Sequence, residues 1–261
     1  MKNFSTHKNE IFKRIKSSDN FLLLLDFDGV LSDIAETPAA AFLSEKNRRL
    51  LRECANHFPV ILISGRALRD LKQKVRLPKL LYAANHGLEW SVDGTRHVKP
   101  VPRKMLSALA RAKKELQPIF SHYPGTFLED KRVNLAIHYR KLARNRVHAF
   151  IKEVSSVLKS IAAQNNLRLD HDNKTFELRT GTLWNKGHIV KLILDHFQRK
   201  TPARLFPVYI GDAVTDEDAF KTLRSGITLR VGKSSKSAAQ YYFPHRADVD
   251  KFLSELLAFC R

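Results

Sequence analysis

The sequence predicts an α/β fold in which a parallel β-sheet, covered by helices on both faces, is interrupted by a smaller α+β insert. Three observations carry that prediction. Residues 21–25, 60–63, 80–84 and 206–210 are apolar runs of strand length, and their lack of alternation suits strands buried on both sides. Helical spacing fills the gaps between the first of them, as strand-crossover-strand units require. In the middle the rhythm changes: Val133, Leu135, Ile137 and Tyr139 alternate with Asn134, Ala136, His138 and Arg140, the pattern of a strand with one apolar and one polar face.

Taken in order, residues 1–20 are basic and polar, with Ile11, Phe12 and Ile15 giving a short leading helix a weak apolar face. The strand at 21–25 is followed by a helix over 44–57 carrying Cys54, the strand at 60–63, a helix over 66–74 and the strand at 80–84. Two prolines in Val98-Lys99-Pro100-Val101-Pro102 break the pattern and suggest a hinge. Next come a helix over 103–116, the alternating strand, and a long helix on which Val147, Phe150, Ile151, Val154, Leu158 and Ile161 share a face. Residues 167–169 and 176–178 read as a hairpin around 170–174. The parallel rhythm resumes beyond Gly181, a second hinge point, with strands near Val208, 227–231 and 241–243 and a closing helix from Asp248. The predicted organisation is therefore a core formed by 1–101 and 182–261, and an insert at 102–181. No internal repeat is visible.

The chemistry sits where strands end. In sheets of this kind, sites lie beyond the carboxyl ends of the strands. Asp26-Phe27-Asp28-Gly29 follows the first run, and strand alternation would set Asp26 and Asp28 on one side with Phe27 on the other. Two acids that close need a hard divalent cation, or one of them held protonated as a general acid. Ser64-Gly65-Arg66 ends the second strand; a hydroxyl there can donate to a phosphoryl oxygen, or simply cap the next helix. Lys186 opens a helix whose apolar positions are Ile189, Val190, Ile193 and Phe197. A cation is disfavoured at the positive end of a helix dipole, so its position points to an anionic partner. Asp212 and Asp216 follow the strand through Val208 and offer a third metal carboxylate and a group to hold it.

These segments, in this order, resemble the haloacid dehalogenase-like phosphohydrolases, and within them the trehalose-6-phosphate phosphatase family. The residues that carry the resemblance are 26–34 (DFDGVLSDI), Ser64-Gly65-Arg66, Asn85-His86-Gly87-Leu88-Glu89 and 211–220 (GDAVTDEDAF), with Glu129-Asp130-Lys131, His138-Tyr139-Arg140 and Phe176-Glu177-Leu178-Arg179 between them. The resemblance implies a Rossmann-like core with a substrate-selecting cap as its insert. It implies Asp26 as nucleophile and Asp28 as general acid and base, Ser64 and Lys186 around the phosphate, and Mg²⁺ on Asp26, Asp212 and the backbone carbonyl of Asp28, steadied by Asp216. Arg66, Glu129, Lys131, His138, Arg140, Glu177 and Arg179 become the substrate-binding set, with bridging between neighbouring strands as the alternative for the insert residues. His86 is not read as catalytic. The chain departs from the family at Ala213, where a second aspartate is usual, which implies altered metal affinity, and at Asp33, an extra acid near the nucleophile that would raise its pKa. Rival readings are a phosphatase for a mannosyl or sucrose phosphate and a sugar-phosphate-binding domain without chemistry.

Composition narrows the setting. Lys and Arg number 46 against 26 Asp and Glu, a net charge of +20, which suits phosphorylated substrates. The basic residues are scattered, without zinc-finger spacing or an RNA-recognition motif, so only weak non-specific nucleic-acid binding is expected. Two cysteines, Cys54 and Cys260, are too few for a disulfide framework. Neither a secretory signal nor a membrane span is predicted, which points to the cytoplasm.

Overall fold

The computed structural model describes residues 1–18, 20–172, 174–180 and 184–260. Gly181 lies outside the described residues. The chain divides into two compact units, one comprising Met1–Ile34, Ala41–Val98 and Trp184–Arg261, the other Ala35–Ala40 and Lys99–Leu183.

The first unit begins with β1 (Lys2–Asn3), α1 (Phe4–Lys16), β2 (Asn20–Leu25), α2 (Glu45–His57), β3 (Val60–Ile63), α3 (Leu68–Val75), β4 (Leu81–Ala84), β5 (Glu89–Val92) and β6 (Thr95–Val98). The second unit contains α4 (Arg103–His122), β7 (Phe127–Asp130), β8 (Asn134–His138), α5 (Val147–Asn165), β9 (Arg168–Asp172) and β10 (Thr175–Arg179). The first unit is completed by α6 (Lys186–Gln198), β11 (Leu205–Gly211), α7 (Glu217–Thr222), β12 (Ile227–Val231), β13 (Tyr241–Phe243) and α8 (Ala247–Cys260).

Its sheet runs β1-β13-β12-β11-β2-β3-β4-β5-β6, parallel from β1 to β4 and antiparallel from β4 to β6. Leu22 to Leu25 are all buried, because both faces of β2 are covered. On one face Leu22, Leu24, Ile61 and Ile63 pack with Ile189, Val190 and Ile193 of α6 and Phe220 of α7. The antiparallel β5–β6 hairpin extends the sheet beyond β4 and was not among the elements expected from the sequence. Its turn is Asp93-Gly94, both at positive φ (50° and 77°), the backbone that a two-residue hairpin demands.

Helix α1 is anchored more firmly than its composition suggests. Phe4, Ile11, Phe12 and Ile15 are buried, and Phe4 and Phe12 contact Phe252 of α8 at centroid distances of 5.7 and 5.5 Å. α3 starts two residues later than expected, after Ala67, leaving Arg66 in the loop.

The second unit has the predicted α+β character. Its sheet, β7-β8-β10-β9, is antiparallel throughout. Leu135, Ile137, Tyr139, Phe176 and Leu178 pack with apolar residues of α4 and α5, among them Leu116, Phe150, Val154 and Leu158. Helix α4 runs through Pro118 to His122 rather than stopping at 116; the proline removes one donor, while Ile119 stays buried beyond it. β9 and β10 extend further toward their turn than expected, pairing Asp172 with Thr175. No helix among the described residues is long and apolar enough to cross a membrane.

Phe12→Ala should lower stability by about 3 kcal/mol, the usual cost of emptying a buried aromatic site, read as a lower denaturant midpoint at unchanged slope. A shift under about 0.5 kcal/mol would show that α1 is only loosely attached.

Candidate active site

Strand register assembles the site. β2 lies between β11 and β3, with Ile210 and Leu62 each opposite Leu25, so Asp26, Gly211-Asp212 and Ile63-Ser64 emerge at one level. The Asp26 N–H donates to the Ile210 carbonyl at 2.9 Å, which carries the pairing one residue past β2. Helix α6 brings Lys186 from below: Asn185 caps it by accepting from the His188 N–H, and Trp184 donates to the Gly87 carbonyl at 2.9 Å.

Lys186 is 1% exposed. Its ammonium donates to Asp26 Oδ2 at 2.5 Å and Asp216 Oδ1 at 2.7 Å, so the anionic partners demanded by its place at a helix start include the protein's own carboxylates. Asp216 is fully engaged: Oδ1 also accepts from the Tyr209 hydroxyl at 2.6 Å, and Oδ2 accepts from the N–H groups of Asp212 (3.2 Å) and Ala213 (3.0 Å). A carboxylate offers about four acceptor positions. Asp216 therefore positions its neighbours, while Asp26 and Asp212 keep capacity for a further ligand.

The electrostatics follow. Burial pushes the Asp26 carboxyl up to about 7 against the pull of Lys186, with Asp216 and Asp28 adding to the push. Burial also drives Asp212 well above the carboxylate range, helped by Asp26 and Asp216. For Asp216 burial acts upward too, but Lys186 and the hydrogen bonds from Tyr209 and the Ala213 N–H together outweigh it, and the group lies below its ordinary value. Burial disfavours the Lys186 ammonium, yet Asp216 and Asp26 hold it above the ordinary lysine value. Carboxylate oxygens of Asp26, Asp212 and Asp216 lie within 4.8 Å of one another, and one ammonium does not neutralise them. An all-oxygen, charge-deficient cluster of this kind fits a hard divalent cation, for which Asp26 and Asp212 have acceptor positions to spare.

Asp28 lies past the reach of the alternation argument, although its charge still bears on Asp26 and Asp212. β2 ends at Leu25, so strand geometry no longer fixes the side, and the Asp28 carboxylate lies in the fork of Arg66, at 2.8 Å from Nε and 2.7 Å from Nη2. Ser64 is buried, and its Oγ accepts from the Arg66 N–H at 3.2 Å; that bond uses an oxygen lone pair and not the hydroxyl proton. Asp33 is a correction to the expected role. It is exposed and pairs with Arg246 at 2.8 Å, and burial, not this acid, leads the shift of Asp26. His86 is buried in a left-handed turn (φ 54°) with its imidazole against Gly65.

In the second unit Glu129, His138, Glu177 and Arg179 share one sheet face, while Lys131 and Arg140 lie just beyond the ends of β7 and β8. Register aligns Glu129, Ala136, Glu177 and Asp170 across the four strands, and His138 and Arg179 follow on the same side by alternation. Lys131 pairs with Glu177 at 2.9 Å and His138 with Glu129 at 3.0 Å, while Arg179 Nε donates to Asp170 at 2.6 Å. Arg140 donates to the Ala35 carbonyl. The pairs made by Lys131, His138 and Arg179 are the bridges between neighbouring strands that the sequence offered as the alternative.

Sequence reasoning did not single out Tyr209 or Asp70. A tyrosine in an otherwise apolar central strand needs a buried partner for its hydroxyl, and Asp70 stands four residues after Arg66; both signals were available. Tyr209→Phe removes a donor to a buried carboxylate and should cost about 2 kcal/mol, measured by chemical denaturation with unchanged far-ultraviolet dichroism. No loss would mean that the hydroxyl does not support Asp216.

Comparison with known proteins identifies the family and the fold. Residues 24–247 match the family model described as trehalose-phosphatase. The trehalose-phosphate phosphatase of Mycobacterium tuberculosis is 38% identical over 199 residues, 76% of this chain and 50% of that protein; the chain spans about half the length of the curated relatives it matches. A C. albicans trehalose-6-phosphate phosphatase C-terminal domain superposes with a TM-score of 0.86 at 22% identity, covering 96% of each chain. A haloacid dehalogenase-like hydrolase from Bacteroides thetaiotaomicron gives a TM-score of 0.64 at 15% identity, covering 91% of this chain and 100% of that one. With its matched residues including every strand-end acid of the site, the chain belongs to the trehalose-phosphatase family and has the haloacid dehalogenase-like fold.

Proposed function

We propose that the protein is a Mg²⁺-dependent phosphatase that hydrolyses trehalose 6-phosphate to trehalose and phosphate through a phosphorylated Asp26. The observation that carries this reading is the Asp26 carboxylate held at 2.5 Å by buried Lys186 at a strand end shared with Asp212. Asp26 attacks phosphorus in line as the bond to the sugar oxygen breaks, and Asp28 gives that oxygen its proton. Asp28 then accepts a proton from water, whose oxygen attacks the aspartyl phosphate and releases Asp26. Ser64 and Lys186 stabilise the phosphoryl oxygens, where positioned donors and cations contribute most. The carboxylates of Asp26 and Asp212 and the carbonyl of Asp28 would hold Mg²⁺, which would supply positive charge against the repulsion between nucleophile and phosphate. Ala213 places no carboxylate beside Asp212, which in this reading weakens or alters Mg²⁺ affinity without abolishing activity.

The second unit, residues 102–181 in the sequence-based division, acts in this reading as the substrate-selecting cap. Its polar sheet face combines acceptors and donors, Glu129 and Glu177 with Lys131, His138, Arg140 and Arg179, of the kind that reads sugar hydroxyls and penalises analogues lacking them. A phosphorylated sugar substrate and the small cysteine content suit the cytoplasm.

Phosphate release from trehalose 6-phosphate should require Mg²⁺, vanish on chelation, and fall by several orders of magnitude in Asp26→Asn. Ser64→Ala should lower kcat about 10²-fold. Binding without release by the wild-type protein would overturn the catalytic reading. Over a panel of phosphorylated sugars, trehalose 6-phosphate should have the highest kcat/KM, and Lys131→Met should reduce that value about ten-fold, as loss of a charged hydrogen bond does; better turnover of a mannosyl or sucrose phosphate would move the substrate assignment.

A further inference from the structure

We propose that Arg66 and Asp70 are positioning residues for Asp28: Asp70 holds the Arg66 guanidinium, and Arg66 holds the carboxyl group that exchanges protons with the leaving alcohol and with water. The inference rests on the catalytic reading above and deepens it, because the family resemblance assigns Arg66 to the substrate.

The guanidinium is committed on several sides. Its Nε and Nη2 face Asp28 Oδ2 and Oδ1 at 2.8 and 2.7 Å, and its Nη1 donates to Asp70 Oδ2 at 2.7 Å. Its carbon lies 5.2 Å from the centroid of the Phe27 ring, the residue between the two active-site acids. The Arg66 side chain is 7% exposed while Asp28 and Asp70 are each 41% exposed, so a buried fork grips a half-exposed acid. The backbone is pinned as well: the Arg66 N–H donates to Ser64 Oγ at 3.2 Å and its carbonyl accepts from Asn85 N–H at 2.8 Å. Beyond Asp70, Lys74 lies 3.9 Å from its other oxygen and donates to the Ala41 carbonyl at 2.8 Å.

Geometry of this kind matches the task of Asp28. A bidentate arginine fixes both the position and the plane of a carboxylate, which a lysine does not. Asp28 has left regular strand structure, and its side chain needs that constraint to meet first the sugar oxygen and then the attacking water. In the first step the P–O bond to the sugar breaks, the bond from Asp26 to phosphorus forms, and the Asp28 proton moves to the sugar oxygen. In the second, a water proton moves to Asp28 while the water oxygen displaces Asp26 from phosphorus. A dinitrophenolate departs without a proton, so an activated ester bypasses the first requirement and retains the second.

The test compares trehalose 6-phosphate with dinitrophenyl phosphate for the wild type, Arg66→Lys and Asp70→Ala, the last altering only a half-exposed side chain. The expected kcat/KM for the sugar ester falls about 10²-fold in Arg66→Lys and about ten-fold in Asp70→Ala. The fall for the dinitrophenyl ester should be at least about ten-fold smaller in Arg66→Lys, and that variant should release a burst of dinitrophenolate before a slow steady state. Equal losses for both esters without a burst would mark a merely structural role and overturn the proposal. A change in KM alone for both esters would return Arg66 to the substrate and overturn it too. A wild-type protein inert toward both esters would remove the catalytic reading together with this inference, whereas an active wild type with equal losses in the variants removes the inference alone.

Discussion

The Lys186 ammonium, buried between Asp26 and Asp216, is the interaction on which the rest of the site depends. Burying a lone cation costs several kcal/mol after relaxation, and only close, hydrogen-bonded anions offset it. Here the anions come from the end of β2 and from the segment after β11, while the cation comes from the start of α6. One ion triad thus ties together three segments far apart in the chain. Removing the lysine would leave two carboxylates buried without their counter-charge, a loss on the order of 3–5 kcal/mol, so stability and chemistry are coupled at this point.

Close packing of the acids imposes a second constraint, on the backbone. Gly29 adopts φ +73°, and a Cβ there would stand 2.0 Å from Asp212 Oδ2. At Gly211 a Cβ would meet the Asp216 carboxylate carbon at 2.3 Å. Both glycines therefore exist where a side chain would displace an acid. The main chain approaches the acids closely at both points, and the carboxylates stay near enough together for a divalent cation to suit them.

Much of this was legible in the sequence, for identifiable reasons. Continuous apolar runs such as Leu22 to Leu25 report burial on both faces, and strand-end acids report the edge where chemistry collects, so Asp26, Asp212 and Lys186 were found before any geometry. The Arg66 fork on Asp28 was not, because alternation holds only inside a strand and β2 stops at Leu25. Which partner a freed side chain takes is decided by the neighbouring loop. Tyr209 signalled that a buried acceptor must exist, but only the fold shows that the acceptor is Asp216. The β5–β6 hairpin is a different case: Asp93-Gly94 signalled a turn, but the strand reading of this part stopped at residue 84. Helix α4 outran its predicted end because the apolar face recovered by Ile119 outweighs the single donor lost at Pro118.

The insert shows where pattern alone stops. Its polar face was visible as Asn134, Ala136, His138 and Arg140, and the structure adds which residues pair across the strands, Lys131 with Glu177 and His138 with Glu129. The central claim concerns the core, where one carboxylate oriented by a buried ammonium carries the phosphoryl group. Its most direct measurement is to quench the protein with acid during turnover of trehalose 6-phosphate, reduce with borohydride, which converts an aspartyl phosphate to homoserine, and read the peptide masses. The account predicts homoserine at position 26 and nowhere else; homoserine at another aspartate, or none at any, during demonstrable turnover contradicts it.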